Sequence, residues 1–242
     1  MEAQKPFPSA WRRVISRRRI ARNPGLLALL YLAPLVIGSA SASLPGGAEA
    51  SIPPGARPTV AIQPLGPVDP ELIRGVAESV GQTYAVNIEV LPAIPLPPSA
   101  FYRPRRRYRG ERILTSLERG APPRASKVLG IMASDLSVTK GSVYDWGVMG
   151  VAGLSRRAGV VSVYRLRRHA SPGLVARRLR QVSIHELGHT FGLPHCRGRH
   201  CIMNDAEGGI HAVDTSSGNF CRSCRRGLGS ALRRDRHPAL AG

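Results

Sequence analysis

A single segment constrains this chain more than any other feature. It runs from His185 to His195 with the pattern H-E-x-x-H-x-x-G-x-x-H. On a helix, His185 and His189 lie one turn apart on the same face, so both imidazoles can reach one metal ion. Gly192 accepts backbone angles that let the chain leave the helix, and the turn returns His195 as a third ligand. Three histidines with an open fourth position predict a catalytic zinc site.

The acidic residue of this motif has a separate predicted role. Glu186 is adjacent to a ligand in sequence but is not itself a ligand. It is therefore predicted to hold the attacking water and take its proton as a general base. An intact glutamate argues against an inactive enzyme, although a metal-bearing binding protein with little proteolytic activity remains the alternative.

The cysteines form a second cluster directly after the third histidine. All four lie within 29 residues, as Cys196, Cys201, Cys221 and Cys224, and Met203 falls between the two pairs. Such clustering suits one tetrahedral zinc site closed by four thiolates. Two disulfides are the alternative in an oxidising compartment.

The two clusters together resemble the signature of the archaemetzincins, a family of zinc peptidases within the metzincins. The resemblance implies that the three histidines bind catalytic zinc, that Glu186 is the general base, and that Met203 lies in the turn beneath the site. It also implies that the four cysteines hold a second, structural zinc, giving two zinc ions per chain. The expected substrate is a peptide or protein paired with the edge strand near 148–154, and family members suggest aminopeptidase-like action on short peptides.

The predicted elements agree with this resemblance. Strands alternate with helices, so the fold class is predicted as α+β and metzincin-like. It would have a twisted mixed sheet packed with helices, an active-site helix and a small zinc-bound C-terminal subdomain. Hydrophobic periodicity and turn residues predict the elements. The strands are Thr59–Leu65, Ala85–Leu91, Lys127–Met132, Val148–Leu154 and Gly159–Leu166; the helices are Pro70–Thr83, Glu111–Glu118, Leu174–Leu193 and one within 225–242; Pro92–Arg109 is an exposed loop.

The N-terminal region has the layout of an export signal. A basic stretch precedes the apolar run Leu26–Ile37, and Ala40-Ser41-Ala42 follows as a small-residue cleavage pattern. Residues 1–42 are therefore predicted to be a signal peptide or membrane anchor, residues 43–58 a linker, and residues 59–242 the metallopeptidase domain. The protein is expected to be exported or membrane-anchored; a cytoplasmic location is the alternative if the N-terminal pattern is incidental.

The chain is strongly basic, with a formal net charge of +20. Of its 35 basic residues, three are lysines, at positions 5, 127 and 140. Arginine clusters suggest an anionic surface or nucleic acid as an alternative partner. The clusters lack the aromatic interleaving and the modules of nucleic-acid binders, so no nucleic acid is expected as a partner, and the chain is expected to be a monomer.

Overall fold

The computed structural model describes residues 57–206 and 209–236. The predicted export segment 1–42 and most of the predicted linker 43–58 lie outside the described residues. The metallopeptidase domain predicted from residue 59 begins where the first strand begins.

The described chain contains nine strands and six α-helices, together with two short 3-10 turns at Pro98–Ala100 and Arg103–Arg105. In chain order the strands and helices are β1 (Thr59–Leu65), α1 (Pro70–Tyr84), β2 (Asn87–Val90), β3 (Phe101–Tyr102), β4 (Arg107–Arg109), α2 (Gly110–Gly120), β5 (Lys127–Met132), β6 (Leu136–Lys140), β7 (Val143–Val148), β8 (Gly150–Ala152), β9 (Ala158–Ser162), α3 (Val163–Leu166), α4 (Pro172–Thr190), α5 (Ile210–Thr215) and α6 (Arg222–Arg236).

The strands form two sheets. The larger sheet has the order β2-β1-β5-β9-β8, in which the first four strands are parallel and β8 is an antiparallel edge strand. The smaller sheet has the order β3-β4-β6-β7 and contains both parallel and antiparallel pairs. The prediction of an α+β fold with a mixed sheet is therefore confirmed.

The larger sheet is covered on both faces, as expected for parallel strands. All six residues of β5 are buried. Leu129 and Ile131 belong to the hydrophobic cluster that includes side chains of α1 and α4. Val128 and Met132, which point to the opposite face, pack in a second cluster with α2. The sheet thus lies between α2 on one face and the pair α1 and α4 on the other.

Two long helices begin at side-chain caps. Asp69 accepts a hydrogen bond of 2.9 Å from the Glu71 N–H, and proline occupies the first position of α1. Ser171 accepts one of 3.3 Å from the Leu174 N–H at the start of α4. Helix α1 confirms the predicted helix over 70–83, with one further residue at its end.

Three predicted elements differ from the structure. The segment Pro92–Arg109 is not simply an exposed loop, because β4 within it pairs with β6 and both Ala100 and Arg109 are buried. The predicted strand Gly159–Leu166 ends at Ser162, whose hydroxyl accepts a hydrogen bond of 3.1 Å from the Tyr164 N–H and begins helix α3.

The predicted edge strand Val148–Leu154 is likewise divided. Its first residue ends β7 of the smaller sheet, and β8 supplies the edge of the larger one. Strand β6 and most of β7 were not predicted. None of the helices in the described part of the chain combines the length and apolar character needed to cross a membrane.

Candidate active site

Helix α4 places the first two histidines of the motif side by side. His185 and His189 lie one turn apart, and their Nε2 atoms are 3.0 Å from each other. The same helix buries Leu179 and Leu187 in the core, whereas Val182, predicted to face the sheet, is buried in the lining of the cleft beside the histidines. The apolar stripe therefore fixes the helix to the core and turns the two imidazoles towards the cleft.

The third histidine arrives through the turn predicted at Gly192. Helix α4 ends at Thr190, and Gly192 adopts a φ of 86°, which is unfavourable for residues with a Cβ atom. The ring centroid of His195 then lies 5.4 Å from that of His185 and 4.8 Å from that of His189. One ring nitrogen from each of the three lies within 4.8 Å of the other two.

Hydrogen bonds leave the Nε2 atoms of the two helical histidines available as ligands. The Nδ1–H of His185 donates to the carbonyl of Ile202 at 2.7 Å, and that of His189 donates to the carbonyl of Leu193 at 2.7 Å. Such bonds fix the tautomer in which Nε2 carries a lone pair. Burial also lowers the pKa of His185 to about 4, so the ring is neutral at neutral pH.

The histidine cluster fits a tetrahedral zinc ion. Zn–N bonds of about 2.0–2.1 Å in a tetrahedron separate neighbouring nitrogens by about 3.3 Å. The 3.0 Å between the Nε2 atoms of His185 and His189 is close to this value. The Nδ1 atom of His195 lies 3.4 Å from a carboxylate oxygen of Asp205, an arrangement that orients many zinc-bound histidines.

Glu186 lies beside this cluster in a dry environment. Its side chain is 6% exposed, and burial raises its pKa to about 8. It packs against β8 so closely that a Cβ atom on Gly150 would lie 2.6 Å from its Oε1 atom. A cation in the histidine site would favour the ionised carboxylate. Glu186 is therefore located between the histidines and the edge strand.

Met203 lies under the active-site helix. It is fully buried, and a Cβ atom on Gly188 would lie 2.5 Å from its sulfur. Its carbonyl accepts a hydrogen bond of 2.8 Å from the Cys196 N–H. This bond ties the segment after the third histidine to the turn that carries Met203.

The four cysteines form a second compact cluster. The sulfurs of Cys196 and Cys221 are 3.7 Å apart, and those of Cys201 and Cys224 are 3.8 Å apart. All four lie within 4.8 Å of one another and carry no disulfide. Zn–S bonds of about 2.3 Å in a tetrahedron give S···S separations of about 3.8 Å, so the cluster fits a zinc ion. The pKa of Cys221 is lowered to about 7, chiefly by the backbone N–H of Cys224.

A cavity of about 290 Å³ opens beside the histidines. Its walls come from β7 and β8, from the turn of α4 before His185, from the segment after Met203, and from α5. Much of the lining is apolar, and it includes Trp146, Met149, Val182, Ile202 and Val213. A pocket of this kind accepts a side chain or a short stretch of an extended ligand.

Three contacts that support the site were not foreseen from the sequence. The Tyr84 hydroxyl of α1 donates to the carbonyl of Ile184 at 2.5 Å. Arg178 of α4 forms a two-pronged ion pair with Asp214 of α5. The third is the 3.4 Å contact between a carboxylate oxygen of Asp205 and Nδ1 of His195. Each joins residues that are remote in sequence or of ordinary polar type, so no local pattern pointed to them.

Comparisons with known proteins agree with this arrangement. The model of peptidase family M54 matches residues 111–230. An archaemetzincin of Haloquadratum walsbyi is 30% identical over 175 residues, which cover 69% of this chain and 97% of the relative.

Solved structures give the same result. The crystal structure of archaemetzincin from Methanopyrus kandleri is similar with a TM-score of 0.65 and 32% identity, covering 76% of this chain and all of that one. That of archaemetzincin from Archaeoglobus fulgidus, complexed with malonate, has a TM-score of 0.60 and 31% identity over 70% of this chain and 99% of that one. The predicted family and fold are thereby confirmed, and the alternative of an arginine-rich binder is not favoured. The chain belongs to the archaemetzincins, zinc metallopeptidases of peptidase family M54.

Proposed function

We propose that the catalytic zinc of this metallopeptidase is bound by His185, His189 and His195, with Glu186 as the general base. The observation that carries the proposal is the convergence of the three ring nitrogens within 4.8 Å of one another. Among the described residues no further histidine, cysteine or carboxylate joins this group, which leaves a position for water and substrate. An open position of this kind is characteristic of catalytic zinc sites.

The chemistry is peptide-bond hydrolysis. A zinc ion in this site supplies Lewis acidity that activates water and the scissile carbonyl. Glu186 accepts the proton of the attacking water on a carboxylate oxygen and delivers it to the leaving amine. Its burial supports this role, because a desolvated carboxylate is a stronger base than one in water.

The substrate is proposed to be an extended peptide that binds along β8 at one side of the site. This strand is the edge of the larger sheet, and Glu186 packs against it. Backbone pairing with an exposed edge orients a peptide without regard to its sequence. The apolar cavity next to the histidines then selects a side chain by its size and hydrophobicity.

The four cysteines are proposed to hold a second, structural zinc, for a total of two per chain. The S···S separations of 3.7 and 3.8 Å support a metal, since a disulfide requires about 2.05 Å. Cys196 directly follows His195 in sequence. A closed site there would hold the third catalytic ligand in position.

The catalytic assignment is tested with two variants. Glu186→Gln is expected to keep its zinc and to lose hydrolysis of peptides that the parent protein cleaves. His189→Ala is expected to lose the catalytic zinc itself. His211→Ala is the matched control, because His211 is exposed and does not belong to the histidine cluster. Unchanged turnover of Glu186→Gln would contradict the mechanism.

Export is a separate proposal. It rests on the basic, apolar and small-residue order within residues 1–42. N-terminal sequencing of protein from fractionated cells tests it. A mature chain beginning near Ser43 would support secretion, full-length chain in the membrane fraction would support anchoring, and full-length chain confined to the cytosol would refute both.

A further inference from the structure

The cavity beside the histidines is electrically asymmetric. Glu186 and Asp205 line it near the histidines, and Lys140 lines it near Trp146. Lys140 is the one lysine or arginine among the described residues that line this cavity. With zinc bound at the histidines, Lys140 is the one side-chain cation of the described residues that a peptide in this cavity meets away from the metal site.

Lys140 is held over the cavity by an aromatic ring. It ends β6, next to the hairpin turn that leads into β7. Its Nζ atom lies 5.2 Å from the ring centroid of Trp146, within the range of a cation–π contact. The side chain is exposed, and no ion pair with a carboxylate is found for it in residues 57–206 and 209–236. Its ammonium group therefore remains available to a ligand.

The run of the chain gives the cavity a direction. From Trp146 the chain passes through Gly150, which packs against Glu186, and reaches Ser155, whose N–H donates to the carbonyl of His189 at 2.9 Å. Trp146, in β7, precedes Gly150, in β8, by four residues with a bend at Met149, so the two are at most about 13 Å apart along the chain. The lysine end of the cavity is thus the end that precedes the catalytic residues along the edge.

An extended substrate has two possible directions on this edge. Antiparallel pairing, which is the slightly more stable pattern, runs the C-terminal part of the substrate towards Trp146 and Lys140. Parallel pairing places the N-terminal part of the substrate near Trp146 and Lys140. In a short peptide the N-terminal ammonium group then approaches the ammonium group of Lys140, and the two like charges repel. Charge and pairing geometry therefore favour the same direction.

We propose that Lys140 is a specificity-determining residue that binds a substrate carboxylate about two to four residues beyond the scissile bond on its C-terminal side. This inference rests on the proposed function. The ligand is a carboxylate, either the free C-terminus of a short peptide or an acidic side chain at the same distance. The protein would then favour short peptides with a nearby free C-terminus over the same sequence within a longer chain.

The test compares one peptide in two forms. A peptide that the parent protein cleaves within four residues of its C-terminus is made as the free acid and as the carboxamide. The parent is expected to cleave the acid with a kcat/KM about threefold higher, the size expected of an exposed ion pair. Lys140→Met is expected to abolish this preference by raising KM for the acid, and Lys140→Arg to keep most of it.

A matched variant controls for net charge. Arg119→Met also removes one exposed positive charge, but Arg119 lies on α2 and does not line the cavity. It is expected to leave the preference of the parent unchanged. Equal kcat/KM for acid and amide in the parent, or an unchanged preference in Lys140→Met, would overturn the inference.

A third peptide identifies the source of the carboxylate. It is the carboxamide with glutamate in place of its last residue. If this peptide is cleaved as fast as the free acid and the rate depends on Lys140, then Lys140 binds acidic side chains as well as the C-terminus. If it is cleaved as slowly as the carboxamide, Lys140 binds the C-terminus alone. Failure of the zinc-loaded parent to cleave any peptide in the preceding search for a substrate would instead reject the proposed function on which the inference rests.

Discussion

Arg178 joins the active-site helix to the helix that forms one wall of the cavity, and its replacement by methionine is expected to destabilise the protein. The guanidinium donates to both carboxylate oxygens of Asp214 at 2.7 Å and to the carbonyls of Leu166 and Arg168 at 2.9 Å. Its side chain is 4% exposed. Methionine fills similar space but leaves all four acceptors without this donor.

The magnitude follows from the burial of the two partners. Breaking a buried ion pair costs about 3–5 kcal/mol, because the remaining charge is left without its partner. Asp214 is 29% exposed, so water recovers part of its solvation and we expect the lower figure, about 3 kcal/mol. For a protein of this size, 1 kcal/mol lowers Tm by about 2–4 °C. The expected decrease in Tm is therefore about 6–12 °C.

The neighbouring arginine supplies the control. Arg177 also approaches Asp214, at 3.9 Å from Oδ1, but its side chain is 48% exposed. Arg177→Met is expected to cost about 1 kcal/mol or less. Thermal unfolding of both variants is compared at one saturating zinc concentration, since bound metal itself raises Tm. A decrease in Tm for Arg178→Met no larger than that for Arg177→Met would refute the argument.

Three further predictions follow. Gly188→Ala is expected to cost about 1–3 kcal/mol of stability, because the added methyl group meets the sulfur of Met203. Gly173→Ala is the control, since nothing lies within 4 Å of its added methyl group. Equal Tm values for the two variants would contradict the predicted clash. Metal-free protein is expected to lose stability from pH 6.5 to 8 relative to metal-free Glu186→Gln, a comparison that cancels the opposite contribution of Cys221, whose pKa is about 7. The pKa of Glu186 is about 8 in the folded protein, so the folded protein keeps a proton here that the unfolded chain has lost. The pKa of folded His185 is about 4, so this group changes the stability only below about pH 6.5. Denaturant unfolding is expected to show a difference between the two proteins that changes by at most about 1.4 kcal/mol per pH unit, and parallel profiles of the parent and Glu186→Gln would be inconsistent with it. Purified protein is expected to contain two zinc ions per chain and four thiols after denaturation in chelator; one zinc and no free thiols would reject the second zinc site.

Local signals account for the parts of the fold that the sequence predicts well. Strand β1 has the predicted bounds because an apolar run ends at Gly66-Pro67. Helix α1 is defined by Asp69 and Pro70 at its start. Strand β5 also has the predicted bounds, since both of its faces are buried and its apolar run is continuous.

The errors have two causes, a helix cap inside an apolar run and pairing between distant strands. Residues 159–166 look like one apolar strand, but the hydroxyl of Ser162 caps a helix halfway along. Strand β6 alternates apolar and polar residues, yet its place in the sheet depends on pairing with β4, which lies in a segment rich in proline and arginine. The pairing partner of β6 is not visible in a local window, whereas the Ser162 cap is a local signal that the continuous apolar run obscured.

The candidate site shows the same division. The spacing of the histidines and cysteines is a local pattern, and the structure brings each set together. Arg178 and Asp214 lie 36 residues apart, and nothing in either neighbourhood marks them as a pair. Lys140 is one of many basic residues in the sequence, and only the position of its hairpin beside the cavity distinguishes it.

Zinc-edge anomalous diffraction from crystals of the zinc-loaded protein tests the central claim most directly. The account predicts a peak at about 2.0–2.1 Å from one ring nitrogen each of His185, His189 and His195, with no fourth protein ligand and with Glu186 outside the ligand sphere. Absence of a peak at the histidines, or a peak closed by a fourth protein ligand, would contradict a catalytic zinc at this position.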